Sequence, residues 1–235
     1  MDDPRADLDA YAGTYLQEAV VAEGATRNVP AFSRFLRVAA LANGTIVNFT
    51  NVANDAQVAR TTVKRKPLAS SKFYLFDVGV AGRLQGRQYR PGTPEFGVAL
   101  ETLVLHELTS YRDYVSGEPL AYWRSTSGFE VDFLIGDHTA IEVKATATVS
   151  NADLKGLRAF AEEGRVKHHV LVCLESRPRQ VGEVLVLPIA EFLRSLWDGQ
   201  FAARGPADRP RARVTAWGPR AACTTGTTST SVPSK

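Results

Sequence analysis

Apolar positions along the chain change period several times, and each change marks an element. From Phe96 to Leu108 the residues Val98, Leu100, Leu103, Val104 and Leu108 fall close to helical spacing, and Thr93-Pro94-Glu95 supplies a start signal, so a helix is predicted there. The runs Val131–Ile135 and Thr139–Ala145 are short, apolar and β-branched. Gly136, Asp137 and His138 between them carry turn chemistry, which predicts a β-hairpin. Further on, the pattern predicts a helix around Ala152–Glu163, strands over His169–Glu175 and Val184–Leu187, and a closing helix over Ala190–Trp197. Upstream, Phe32, Phe35, Leu36, Val38, Ala39 and Ala42 make the apolar face of a helix, and Lys72–Leu84 reads as a strand leading into a short helix with Asp77 as its cap or, as the lesser alternative, a functional acid. Strands alternating with helices predict an α/β domain over residues 95–200, a mixed sheet flanked by helices. A helical subdomain over 1–70 and a connecting strand and turn over 71–94 precede it. After Gln200, Pro, Gly, Thr, Ser and Arg replace periodic apolar residues, and a disordered tail over 201–235 is expected.

The polar residues inside these apolar runs carry the candidate chemistry. Side chains two apart on a strand share a face, so Glu142 and Lys144 point the same way. With a three-residue turn Asp132 lies opposite Glu142, and two carboxylates and one ammonium meet. Asp132 stands between Val131 and Phe133 in a strand that reads as buried on both faces, where an unpaired charge is costly. Glu101 falls within the apolar helix. Clustered carboxylates suit a hard divalent ion such as Mg²⁺, held with water and phosphate oxygens. The plainer reading is a solvated edge hairpin whose acids pair with Lys144, and an exposed acid on an amphipathic helix for Glu101; Glu107, nearer the polar end, fits that description better.

Five phrases extend the pattern: YLFDVGVAGRLQG at Tyr74–Gly86, FGVALETLVLHEL at Phe96–Leu108, YWRSTSGFEVDFLI at Tyr122–Ile135, AIEVKAT at Ala140–Thr146 and LPIAEFLRSLW at Leu187–Trp197. With them the chain resembles the domain of unknown function 4143, a PD-(D/E)xK nuclease-like domain that follows the ATPase domain of prokaryotic AAA-type ATP-binding proteins. The likeness covers most of residues 9–199. It implies an αβββαβ core that gathers Glu101, Asp132 and Glu142 around Mg²⁺ or Mn²⁺, with Lys144 assisting the attack on a DNA phosphodiester; Asp132, Glu142 and Lys144 are then the catalytic group. It also implies two partners, DNA and an ATPase domain; separately, the N-terminus lacks a signal peptide's charged-then-apolar order, which predicts a cytoplasmic setting.

The chain departs from that family in several places. No GxxxxGK[ST] motif occurs, so ATP hydrolysis is not predicted. The opening MDDPRADLDAYAGTYL corresponds to the region just beyond the family's ATPase domain, and the chain reads as a C-terminal fragment or separately encoded remnant. Phe49–Val63 reads as the start of a helix-turn-helix, but Val63 runs into Lys64-Arg65-Lys66-Pro67, and Pro67 ends any helix within a turn. This truncated motif is not expected to read bases.

Charge and the remaining residue types refine the picture. The formal net charge is +3, yet residues 201–235 hold six basic residues against one acid, which leaves residues 1–200 at −2. Residues 60–90 carry Arg60, Lys64, Arg65, Lys66, Lys72, Arg83, Arg87 and Arg90 against Asp77 alone, a stripe suited to a phosphate backbone or to a solvated linker. No apolar run approaches the roughly 20 residues of a membrane span, and no membrane partner is expected. Cys173 reads as a core residue and Cys223 as part of the tail, while His106, His138, His168 and His169 lack the spacing of a helical zinc site. Lys155 and Arg158 read as phosphate contacts or as a solvated helix face. Two functions emerge: a metal-dependent DNA nuclease or nuclease-like domain, and a non-catalytic module that binds DNA or a partner ATPase.

Overall fold

The computed structural model describes residues 4–15, 18, 28–47, 55–56, 71–163 and 166–203. The expected helix-turn-helix and basic linker lie outside them apart from Asp55 and Ala56, as does the tail from residue 204. In the N-terminal part, α1 spans Pro4–Ala10 and α2 spans Val29–Leu41. Asn28 caps α2 by accepting the Ala31 N–H, and Pro30 sits in the first turn, where its missing N–H costs nothing. This part is not wholly helical: β1 (Thr45–Val47) leaves α2 and pairs antiparallel with β2 (Ser71–Phe73). After β2 the chain turns into α3 (Val78–Gln85), where the Asp77 carboxylate accepts the Val80 N–H as the sequence predicts.

The α/β domain follows in the order α4 (Pro94–Tyr111), β3 (Leu120–Arg124), β4 (Glu130–Ile135), β5 (Thr139–Val143), α5 (Lys155–Ala161), β6 (His168–Cys173), β7 (Arg179–Val181), β8 (Val184–Pro188) and α6 (Ile189–Trp197). One six-stranded sheet runs β3-β4-β5-β6-β8-β7. Its outer pairs β3·β4, β4·β5 and β7·β8 are antiparallel, and β5·β6 and β6·β8 are parallel, so the sheet is mixed, as expected. The two edge strands, β3 and β7, were not legible from the pattern. They take one neighbour each and show exposed residues, so neither carries a clean apolar period.

Both sheet faces are covered. On one, Leu100, Val104, Leu108 and Tyr111 of α4 and Phe192 and Leu196 of α6 pack on Phe133, Ile135, Ile141, Val143, Val170 and Val172. On the other, Leu157 and Phe160 of α5 meet Val131, Ala140, Leu171 and Val186. Full burial of each such side chain contributes about 1.5–3 kcal/mol, and this two-sided covering explains why β5 is buried at all five positions. The core also runs past Gln200: Phe201 is buried and stacks on Phe192, with ring centroids 5.8 Å apart, so the tail boundary drawn at residue 201 cuts into the core. Among the described residues no helix is long and apolar enough to cross a membrane.

Candidate functional site

The hairpin positions the first acids. Ile135 pairs with Thr139 across Gly136, Asp137 and His138, and Gly136 takes the left-handed conformation the turn requires (φ 54°). The ladder ends at Phe133 and Ile141, one pair short of the expected pairing between Asp132 and Glu142. The cause is a break in alternation. Phe133 and Ile135 pack on the α4 side, yet Val131 packs on the α5 side, which leaves Asp132 at the seam between the two faces. There its side chain replaces the missing ladder contact, Asp132 Oδ2 accepting the Val143 N–H at 2.9 Å.

Glu142 and Lys144 share a side as predicted, and Lys144 Nζ donates to Glu142 Oε1 at 2.5 Å. The other carboxylate oxygen, Glu142 Oε2, is buried with no hydrogen-bond partner. Its floor is Gly156 at the start of α5, where a Cβ would collide with the Glu130 carbonyl and approach Glu142 Oε2 to 3.7 Å. Glycine at 156 therefore lets α5 close over the hairpin.

Glu101 reaches the cluster from α4, whose start is fixed by Thr93 accepting the Phe96 N–H at 3.3 Å. Two residues to which the sequence assigns no role in the site hold it there. Lys72 Nζ lies 3.0 Å from Glu101 Oε1, 2.9 Å from Asp132 Oδ1 and 3.5 Å from Glu130 Oε1. The Tyr74 hydroxyl donates to the same Glu101 oxygen. Lys72 and Tyr74 are two apart on an extended segment and so reach the same side, a spacing visible in SKFYLFD; Lys72 had been counted only within the basic stripe. The four expected residues are thus brought together, and Lys72, Tyr74 and Glu130 join them.

The electrostatics follow from burial. Burial pushes the Glu142 carboxyl up to about 7, Asp132 adds to the shift, and Lys144 and Lys72 oppose it. Burial and Asp132 likewise raise Glu101 against the pull of Lys72 and Tyr74. Burial works against the Lys72 ammonium, but Asp132 and Glu101 outweigh it and hold its pKa above the ordinary lysine value. Lys144 is also raised, burial opposing and Glu142 prevailing. Burial and then Glu101 push the Tyr74 phenol up, so it stays a hydrogen-bond donor. The Lys144 side chain is 38% exposed against 11% for Lys72, so of the two lysines Lys144 is the one open to a ligand.

A divalent ion needs converging hard oxygen donors. A buried carboxylate oxygen without a partner, close to a second acid, fits one. The arrangement is incomplete, because among the described residues no group of three His, Cys, Asp or Glu side chains is placed to hold a metal. Glu101 is engaged by Lys72 and Tyr74 instead.

Most of the remaining candidates have structural partners, but His169 Nε2 is buried with no hydrogen-bond partner. His106 contacts the Phe76 carbonyl at 3.2 Å. His138, in the turn at the far end of the hairpin, meets Glu118 at 2.8 Å and the Thr139 hydroxyl at 2.9 Å. Burial lowers the pKa of His168 and His169. Arg158 donates to Asn151 at 3.1 Å, the Trp197 indole to Glu107 at 3.0 Å, and Cys173 is buried in the core.

Fold and site together define a mixed α/β domain with an acid–lysine cluster at the open end of its central hairpin. Residues 96–192 match the family described as a domain of unknown function, DUF4143, and the chain carries that domain. Residues 1–67 match a second domain of unknown function, DUF8612, so Lys72 and Tyr74 fall between the two matched segments. An uncharacterized protein of Mycobacterium bovis and one of Mycobacterium tuberculosis are each 25% identical over 178 residues. The match covers 63% of this chain and 40% of each relative's length. No solved structure matches the chain.

Proposed function

We propose that the α/β domain is a PD-(D/E)xK nuclease-like unit that acts on the phosphodiester backbone of DNA, as the C-terminal part of an AAA-type ATP-binding protein. The observation that carries this reading is Glu142 Oε2, buried and unpartnered beside Asp132, with Lys144 two residues on. The succession α4-β3-β4-β5-α5-β6, which follows the αβββαβ order, supports the fold side of the reading. Asp132 and Glu142 would hold Mg²⁺ or Mn²⁺, with Glu101 as the third acid. A bound ion of this kind lowers the pKa of water and stabilises charge on a phosphoryl oxygen. The protein's own share is to hold these acids converged at the seam of the hairpin and to present Lys144, the more exposed ammonium, to the charge that develops on the phosphate.

Calorimetric titration of the full chain with Mn²⁺, paired with a DNA cleavage assay, tests this. Binding is expected in the wild type, lost in Asp132→Ala and Glu142→Ala, and kept in Lys144→Ala, which loses cleavage alone. Absence of binding at millimolar Mn²⁺ would sink the metal-dependent reading. A second reading, a non-catalytic module that binds DNA or a partner ATPase, is favoured by the lack among the described residues of a three-ligand metal group. It expects DNA or partner binding to survive all three substitutions.

A further inference from the structure

Lys72 is the residue that this reading leaves without a task. Its ammonium donates to Glu101 Oε1 and Asp132 Oδ1, and Glu130 Oε1 pairs with it at 3.5 Å, so three carboxylates surround it. It is therefore held by the protein's own acids and is far less open to a substrate than Lys144. It also takes one oxygen each of Asp132 and Glu101 that a metal would need. Asp132 gives Oδ2 to the Val143 N–H and Oδ1 to Lys72; Glu101 gives Oε1 to Lys72 and Tyr74. A divalent ion on Asp132 Oδ1 would stand within contact range of the ammonium, and two cations at that separation in a buried site repel strongly.

We infer that Lys72 is the resident cation of the acidic cluster, seated between Glu101 and Asp132 in the place of a metal, so that ammonium and divalent ion compete for one site. This rests on the proposed metal-dependent reading for its consequence in catalysis, but the competition itself is read from binding. With Lys72 in place the two lysines leave Glu101, Glu130, Asp132 and Glu142 half neutralised. Without it those acids crowd one another, and a divalent ion becomes the best available relief.

The test compares Mn²⁺ affinity by calorimetry and Mn²⁺-dependent melting across four full-length proteins: wild type, Lys72→Met, Glu101→Gln and the double variant of the two. Lys72→Met is expected to bind Mn²⁺ about tenfold more tightly than wild type or better, and to show a lower melting temperature in chelator that Mn²⁺ restores. Because loss of the ammonium strands buried charges and works against folding of Lys72→Met, the double variant, which removes one acid along with the lysine, keeps the comparison possible. It is expected to bind Mn²⁺ more tightly than Glu101→Gln alone. Equal or weaker binding in both lysine variants relative to their own parents overturns the inference. Wild-type binding is a separate axis: if wild type shows none and Lys72→Met gains a site, competition stands while the metal-dependent reading of the native chain falls. If wild type binds and the lysine variants gain nothing, the reverse holds.

Discussion

Glu142 gives one oxygen to Lys144 and keeps the other buried without a partner, and this asymmetry makes its protonation a stability term. Its ordinary value is 4.5 and in the fold it is pushed up to about 7, so the folded state holds the proton more tightly than the unfolded chain. The contribution of the neutral carboxyl is fully present below its unfolded value and is lost as the pH rises through about 7. Melting curves in chelator between pH 4.5 and 7.5 should therefore show the wild type losing stability relative to Glu142→Gln, which lacks the titration. Parallel curves would remove the uncompensated carboxylate from the account. Lys144 softens the effect and does not cancel it, since its own side chain stays partly exposed.

At the scale of elements, β2 is what brings Lys72 and Tyr74 to α4, and Asn43 is what holds β2 there. The buried Asn43 amide donates to Thr102 Oγ1 of α4 at 2.9 Å and accepts the Leu75 N–H at 2.7 Å, while Gly44 donates to the Phe73 carbonyl. Asn43→Ala strands the Leu75 N–H and should cost about 1–3 kcal/mol. Amide exchange at Leu75 should lose protection more than exchange in β6; equal protection would mean that β2 is held by other contacts. The hairpin and α4 were legible because their signals are local: a turn tripeptide between β-branched runs, and Thr-Pro before an apolar 3.6 period. Glu101, Asp132, Glu142 and Lys144 followed, as charges out of place in apolar runs. Lys72 and Tyr74 did not, because the role of Lys72 depends on contacts 29 and 60 residues away and that of Tyr74 on one 27 residues away, and no local period encodes such distances. Asp132 was found for a sound reason with one wrong detail, since the break in alternation that turns it to the seam has no signature in the letters.

For the whole molecule, the α4–α6 side of the sheet is closed by Phe201, which stacks on Phe192 and lies edge-on to His168, with centroids 6.0 Å apart. Phe201→Ala should lower stability by about 3–5 kcal/mol, read as a fall in the urea midpoint, although composition alone would assign the residue to a tail. A loss within error would show that the core ends at α6. The same caution applies at the other boundary. Periodicity invites a cut at residue 95, which would yield an excised piece containing Glu101, Glu130, Asp132 and Glu142 but not the ammonium and phenol that reach them from β2. Such a dissected domain would be a different chemical object, a bare anionic cleft avid for any cation in the buffer, and its behaviour would describe the surgery and not the protein. A recombinant piece that is to report on this chain's chemistry has to start upstream of Asn43.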